Sequence, residues 1–444
     1  MFERRVSFYL YSKQQGAATL LVAVLLLAAA LVLSLASYKG VFFQAKRAQN
    51  EIEARKAHWI GEGGLECAYT KMYQDRDQSV LDSGTTYFDS DCVASTNLTS
   101  MNIDSLGEQK YRIEPKFEQE GISILTLSKV IDFSRNSSAG AIKTTADLFV
   151  NGSSNFNPPD PGVHTGSGWD CTSVRYIRNL GFRGAVVNSG FSVMPSSDFS
   201  PSSGDCLSSS KTNSGSGLLS ELKGDFKVDP NIRPFEEVFG VASSAWESVR
   251  DNPLYDFGVI DTGSLVVPNP SVSTATLCGQ AVLNEINLGK TRIWIEGSCE
   301  LFDDPDPNQP QLLTDIADAT QDTNGVLLLV HNGVFSIHGS GEFKGSLFHF
   351  NDSFLPVPGS WDGLIGKSTY ENITWSFYPS RVTGSEVSYI QNGAFWFTGG
   401  QMLDMDGQIA YFHNGLNFSY NSDVLDSIFG VLPPRWLKGS WNDF

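Results

Sequence analysis

No charged residue occurs between Lys13 and Lys39, and from Ala17 to Ala36 only Thr19 and Ser34 carry a polar side-chain atom. Twenty helical residues at about 1.5 Å rise each span about 30 Å, the thickness of a bilayer's hydrocarbon core. After Gly16 the run has neither Pro nor Gly, so a helix can satisfy all its backbone polar groups internally, as lipid requires. The sequence predicts a membrane span. Arg4, Arg5 and Lys13, opposed only by Glu3, orient the N-terminus to the cytoplasm and the rest of the chain to the far side.

Three readings of this run compete. One is a secretory signal cleaved after Ser34-Leu35-Ala36, although the apolar stretch exceeds the usual signal length. Another is a plain signal anchor. The third is a prepilin, with a short basic leader, a glycine at the cleavage point and an apolar helix that is retained. Beyond Lys39 the chain stays free of proline, and Val41, Ala45, Ala48, Ile52 and Trp59 or Ile60 recur at spacings of three, four and seven. That periodicity extends the helix out of the membrane as a spine with one apolar stripe.

The segment Lys13-Gln-Gln-Gly16-Ala-Ala-Thr-Leu-Leu-Val-Ala-Val-Leu-Leu-Leu27, with Gly61-Glu-Gly-Gly-Leu-Glu-Cys-Ala68 further along, resembles the N-terminal module of PilX-type minor pilins over roughly residues 13–75. The glycine junction is its specific part; the apolar run is common to many anchors. The resemblance implies cleavage between Gly16 and Ala17 by prepilin peptidase and N-methylation of Ala17. It also implies a subunit held in the inner membrane by one span, with a periplasmic C-terminal domain, before packing its helix against major and minor pilins in a filament. Major pilins carry a glutamate where this chain has Leu21. A buried carboxylate is costly without a paired charge, so a subunit lacking it suits a filament tip, where no neighbour's terminal amine must be met. The large K-type pseudopilins of type II secretion share that absence.

With 444 residues the exported part has room for two or three folded units, and 41% hydrophobic residues argue against disorder. A net charge of −18 speaks against a chain-wide nucleic-acid binder, because phosphate affinity comes from Lys and Arg. The six cysteines, Cys67, Cys92, Cys171, Cys206, Cys278 and Cys299, show no C-x-x-C spacing, and export takes them to an oxidising compartment. Fifteen pairings are open; the intervals favour the local scheme of 67 with 92, 171 with 206 and 278 with 299.

The expected fold is α+β. Residues 1–16 form the leader and 17–75 the transmembrane and spine helix, where glycines at 61, 63 and 64 admit a bend. Residues 76–151 form a pilin-like antiparallel β head built on Tyr111–Phe117, Ile122–Ile131 and Ile142–Val150, after a polar connection from Asp82 to Asn102. Pro158, Pro159 and Pro161 among Gly, Ser and Asn mark 152–168 as a linker. Residues 169–444 form a β-rich C-terminal domain with one clear helix, Phe235–Val249. Within it His331-Asn-Gly, Gln391-Asn-Gly and His413-Asn-Gly open three similar segments. If Asn-Gly supplies positive φ at corners, such segments stack as a β-solenoid. An antiparallel sandwich is the alternative, since Asn-Gly also makes hairpins.

No catalytic constellation is visible: there is no Gly-x-Ser-x-Gly, phosphate loop or zinc motif, and the expectation is a protein that is not an enzyme and needs no cofactor. His331, His338 and His349 are expected at solvent-facing corners. Asp303, Asp304 and Asp306 crowd oxygens as a structural calcium ion requires, or form a solvated acidic turn. Arg175, Arg178 and Arg183, interleaved with Tyr176 and Phe182, form either a polyanion site, for DNA or a surface ligand at a tip, or a solvated strand face.

Overall fold

The computed structural model describes residues 15–75, 79–82, 85–107, 110–119, 122–123, 127–133, 140–200, 204–265, 277–303, 311–373, 386–430, 434–437, 439–440 and 442–443. The basic leader residues Arg4, Arg5 and Lys13 and the acidic residues Asp304 and Asp306 lie outside them. The chain is mixed α/β, with one long apolar N-terminal helix and a large β-rich C-terminal part. It divides into two units, 1–131 with 436–444, and 132–435.

In the first unit a single helix runs over Gln15–Asp75. The three glycines do not break it. Gly64 allows close packing instead: a Cβ there would lie 2.4 Å from Leu98 Cδ1. Ala57, Leu65, Ala68 and Met72 are fully buried along the same stretch, so the stripe that packs begins about four turns later than the sequence spacing suggested, while Val41 and Ile52 stay exposed. Ser100–Gly107 and Lys110–Lys116 pair antiparallel, Ile103 opposite Ile113. The first of these strands falls partly in the expected polar connection. Leu127–Asp132 and Arg435–Trp436 continue the sheet, and Asn442–Asp443 adds to Leu127–Ser128 antiparallel. Cys67 is joined to Cys92, and Tyr69 stacks on Trp436 with ring centroids 5.2 Å apart.

The second unit holds three rows of laterally paired strands. The first row runs Phe226–Val228, Val174–Tyr176, Ile142–Thr144, Gln401–Asp404, Gly345–Phe350, Val326–His331, Arg292–Glu296, Gly258–Asp261, parallel throughout. The second runs Leu180–Arg183, Asp147–Asn151, Ile409–His413, Val387–Asn392, Phe335–His338, Cys299–Phe302, again parallel. The third joins Val186–Asn188, Ser154–Phe156 and Leu416–Phe418 in parallel, with Asn213–Ser214 antiparallel at its edge. The parallel pair Gly341–Phe343 and Phe395–Phe397 lies next to it.

Alternation along a strand explains the packing. Val326, Leu328 and Val330 join a core shared with residues of all three rows, such as Val150 and Phe418. Leu327 and Leu329 point the other way, into a second cluster with Phe235, Phe239, Leu425 and Ile428 from the helices Pro234–Phe239 and Ser422–Phe429. Strands buried on both faces read as continuous apolar runs, and each such side chain contributes about 1.5–3 kcal/mol of burial. The second row is covered likewise, with Phe149, Ile409 and Tyr411 against Trp361 and Leu364.

Several expectations are corrected here. Ile142–Val150 belongs to the second unit as two strands, and 152–168 is no linker: it carries Ser154–Phe156 and the buried Asp160, which accepts hydrogen bonds from Gly140 N at 3.1 Å and Gly162 N at 2.9 Å. Turns between stacked strands have the Gly, Pro and Asn content of a linker, so composition could not tell them apart. The helix expected over Phe235–Val249 ends at Phe239, because Gly240 at φ 75° forms a left-handed cap, and helix resumes only at Glu247–Arg250. The three Asn-Gly corners share chemistry rather than position. Asn332 follows a first-row strand, Asn392 ends a second-row strand and Asn414 follows one, with Asn392 opposite His413 in register. The remaining disulfides join Cys171 to Cys206 and Cys278 to Cys299.

Candidate assembly helix and candidate surface sites

The N-terminal helix is the one helix among the described residues long and apolar enough to cross a membrane. Its apolar side chains from Leu20 to Leu35 are exposed, Leu21 by 63%, and so are Tyr38, Val41, Phe42, Phe43 and Ile52. No acidic residue occurs between Gly16 and Asn50. Thr19, the most N-terminal polar side chain of the run, donates to Gly16 O at 3.1 Å and so does not need water. Charge enters at Lys39, Lys46 and Arg47, and further along Arg55 pairs with Glu51 at 2.7 Å and Lys129 with Glu66 at 3.2 Å. The helix thus has an unpartnered apolar part and a part fixed to its own sheet. Gly16, Ala17 and Leu21 all lie on the unpartnered part.

The three arginines lie on separate elements, Arg175 on Val174–Tyr176, Arg178 in the turn that follows and Arg183 on Leu180–Arg183. Arg175 donates through Nε to Asp229 at 2.9 Å and lies 3.5 Å from Glu237. Glu237 also receives Lys143 Nζ at 2.6 Å, and Lys143 is only 1% exposed. Arg175 beside Asp229 holds that carboxyl below its usual range, and burial lowers the Lys143 ammonium. Arg178 Nη2 lies 2.9 Å from Asp406. Arg183 ends a second-row strand, apart from these pairs in the register. Arg175 and Arg178 are therefore matched by carboxylates far away in sequence.

Asp303 caps a helix: its Oδ1 accepts from Leu313 N at 2.8 Å and Thr314 N at 3.1 Å, and its Oδ2 from Thr314 Oγ1 at 2.8 Å. Negative charge at the start of Leu312–Gln321 is favourable there. Among the described residues no group of three or more His, Cys, Asp or Glu is placed to hold a metal.

The histidines expected in solvent are buried. His331 lies between Glu296 Oε2 at 3.0 Å and Asp352 Oδ1 at 3.1 Å, with its ring parallel to that of Phe350. His338 is nearly enclosed beside the fully buried Glu300, whose carboxylate accepts from Ser336 Oγ and from the backbone of Ile365 and Gly366. His349 donates through Nε2 to Gly333 O at 2.9 Å and leaves Nδ1 buried without a partner among the described residues. Both neighbouring cores point inward at these strands, which is why alternation did not place them outside.

Burial pulls His349 down to about 4 from 6.5. Its folded pKa is below the unfolded one, so the unfolded chain takes up a proton first as pH falls. Stability is intact above about pH 6.5 and declines toward pH 4 by about 3 kcal/mol. His338 and His413 shift in the same direction. Asp160 and Asp404, raised by burial, oppose the trend only where they take up protons in the native state. Thermal melts from pH 7.5 to 4.5 should show a falling transition for the β-rich unit. His349→Gln, which keeps an N–H donor, should flatten it; an unchanged pH slope would remove His349 as a cause.

A cleft of about 610 Å³ in the second unit is lined by Arg233, Glu236, Asp352, Asp404 and Asp406, among others. Its carboxylates have structural partners. Asp404 accepts from Phe235 N and Thr145 Oγ1, both at 3.1 Å, Asp352 meets His331, and Asp406 meets Arg178. Nothing along the chain marks this convergence, because its residues come from segments far apart in sequence.

No family model, curated protein or solved structure matches this chain.

Proposed function

We propose that this protein is a PilX-type minor pilin that helps to initiate or cap a type IV pilus and carries its β-rich unit at the tip. The observation that carries the reading is the 61-residue helix, free of charge from Gly16 to Tyr38, exposed as far as Ile52 and packed on its own sheet only from Ala57. A signal peptide has no use for the added turns, whereas a filament subunit buries them against neighbouring helices. On this reading the inner membrane holds the helix before assembly, prepilin peptidase cuts at Gly16–Ala17, Ala17 is methylated, and major and minor pilins are the partners. The sheet of the first unit is then a pilin-like antiparallel head. The three rows of the second unit are the faces of a β-solenoid, with a structural role in place of an enzymatic one.

Leu21 equally suits a K-type pseudopilin of a type II secretion system. Sequencing the mature N-terminus is expected to give methylated Ala17; a mature protein starting at Met1 or Ser37 would overturn the proposal. Deleting the gene should reduce pilus number by about tenfold or more in electron micrographs. Normal piliation with loss of secretion would select the pseudopilin, and normal piliation with loss of adhesion or DNA uptake a tip binding module.

A further inference from the structure

Two of the three strand rows in the second unit have their outer faces covered by helices and aromatic side chains. The strands at the third side keep theirs open. The middle residues of Gly341–Phe343, Phe395–Phe397, Leu416–Phe418 and Ser154–Phe156 are Glu342, Trp396, Asn417 and Asn155, and in each strand the flanking Phe or Leu is buried while the middle residue is not. Glu342 pairs with Trp396 in register, and Asn417 with Asn155. Within each pair the strands lie about 4.8 Å apart, and Phe395–Phe397 lies beside Leu416–Phe418, which sets the four side chains on one face. They line a cavity of about 350 Å³, with Asn157, Asn421 and Val193 among the residues around it.

From this face we infer a binding site for a neutral oligosaccharide. Its polar groups have capacity to spare. Asn155 accepts from Ser189 Oγ at 2.6 Å, and Asn157 from Ser192 Oγ at 2.8 Å, which leaves the amide N–H groups of both directed at no described residue. The Asn417 amide and the Trp396 indole N–H have no hydrogen-bond partner among the described residues, and no described ring stacks on Trp396. Amides that both donate and accept match vicinal sugar hydroxyls, which do the same. An indole offers an apolar face to the C–H side of a pyranose and a polar edge beside it. Among the described lining residues Glu342 is the one charged side chain, and no lysine or arginine joins it, so an anionic polymer would meet repulsion without a counter-charge. Four such side chains from two strand pairs offer contacts to more than one linked sugar.

The inference concerns the second unit alone and holds whatever the helix assembles into. Its test is calorimetric titration of the detergent-solubilised full-length protein with chitohexaose, cellohexaose, maltohexaose and mannohexaose, with oligogalacturonate as the anionic comparison. At least one neutral hexasaccharide should bind with a dissociation constant in the micromolar to low-millimolar range. Trp396→Ala should weaken it about tenfold or more, Asn417→Ala several-fold, and Trp396→Tyr should restore much of the loss, all with an unchanged melting temperature. The inference is overturned if no neutral probe binds, if Trp396→Ala and Asn417→Ala leave binding unchanged, or if oligogalacturonate binds as tightly as the neutral chains. None of these readouts depends on the mature N-terminus or on filament number.

Discussion

Glu237→Ala is expected to destabilise the β-rich unit by about 3–5 kcal/mol, because it strands a buried cation. Lys143 is 1% exposed and its ammonium lies 2.6 Å from Glu237 Oε2. The lysine sits in the Ile142–Thr144 strand, between Gln401–Asp404 and Val174–Tyr176, so it cannot swing into water without opening the first row. Arg175 adds a second positive charge 3.5 Å from the same carboxylate, although Asp229 keeps that guanidinium partnered. The loss should therefore come mainly from Lys143. Pairing Glu237→Ala with Lys143→Met, of similar volume and apolar, should return most of the stability. Denaturant titration of the three variants measures the cycle, and additive losses in the double variant would show that the pair is not coupled.

The second large effect is expected at an Asn-Gly corner. Gly393 has φ 118°, and a Cβ there would lie 2.2 Å from Gly339 O. Gly393→Ala meets backbone strain and a clash with a carbonyl fixed between two strands, a loss of about 3 kcal/mol or more. At the third corner the roles are exchanged: Asn414 takes the positive angle, φ 75°, and Gly415 has open space around its Cα. Gly415→Ala should change stability by about 0.5 kcal/mol or less. The same dipeptide thus gives opposite outcomes twenty-two residues apart, and thermal melts of the two variants would show it; equal losses would mean that the corners are not built as described.

The apolar stem was readable as a helix because Ala17–Ala36 is rich in Ala and Leu and has neither Pro nor Gly. Its extension was readable by period, but where packing starts was not. The buried residues Ala57, Leu65, Ala68 and Met72 include two alanines, a weak signal beside the exposed Trp59. Parallel stacking was suggested by alternation and by Asn-Gly, and positive φ at Asn332 and Asn414 agrees with that reasoning. The helix Leu312–Gln321, with Leu313, Ile316, Ala317 and Thr320 buried, carries a helical spacing that was legible and was missed beside the acidic turn. Site residues were the least legible. The arginines looked free because their partners Asp229, Glu237 and Asp406 are distant in sequence. Trp396 and Asn417 draw meaning only from being side by side on one face.

The order of strands in the first row has a consequence for how the protein is made. Gln401–Asp404 is fourth of the eight strands, between Ile142–Thr144 and Gly345–Phe350, and in the second row Ile409–His413 separates Asp147–Asn151 from Val387–Asn392. The strands nearest the middle are thus among the last to be synthesised. Until then the earlier half, ending in Ile142–Thr144, and the later half, ending in Gly345–Phe350, each keep a bare strand edge facing the gap, and the pairing that joins them spans more than 250 residues of chain. Such long-range closure is slow, and open edges recruit other chains. A chain broken off before residue 401 would consist of two unfinished stacks, so strands that come late in the sequence are the ones that close the exposed edges of those that come early.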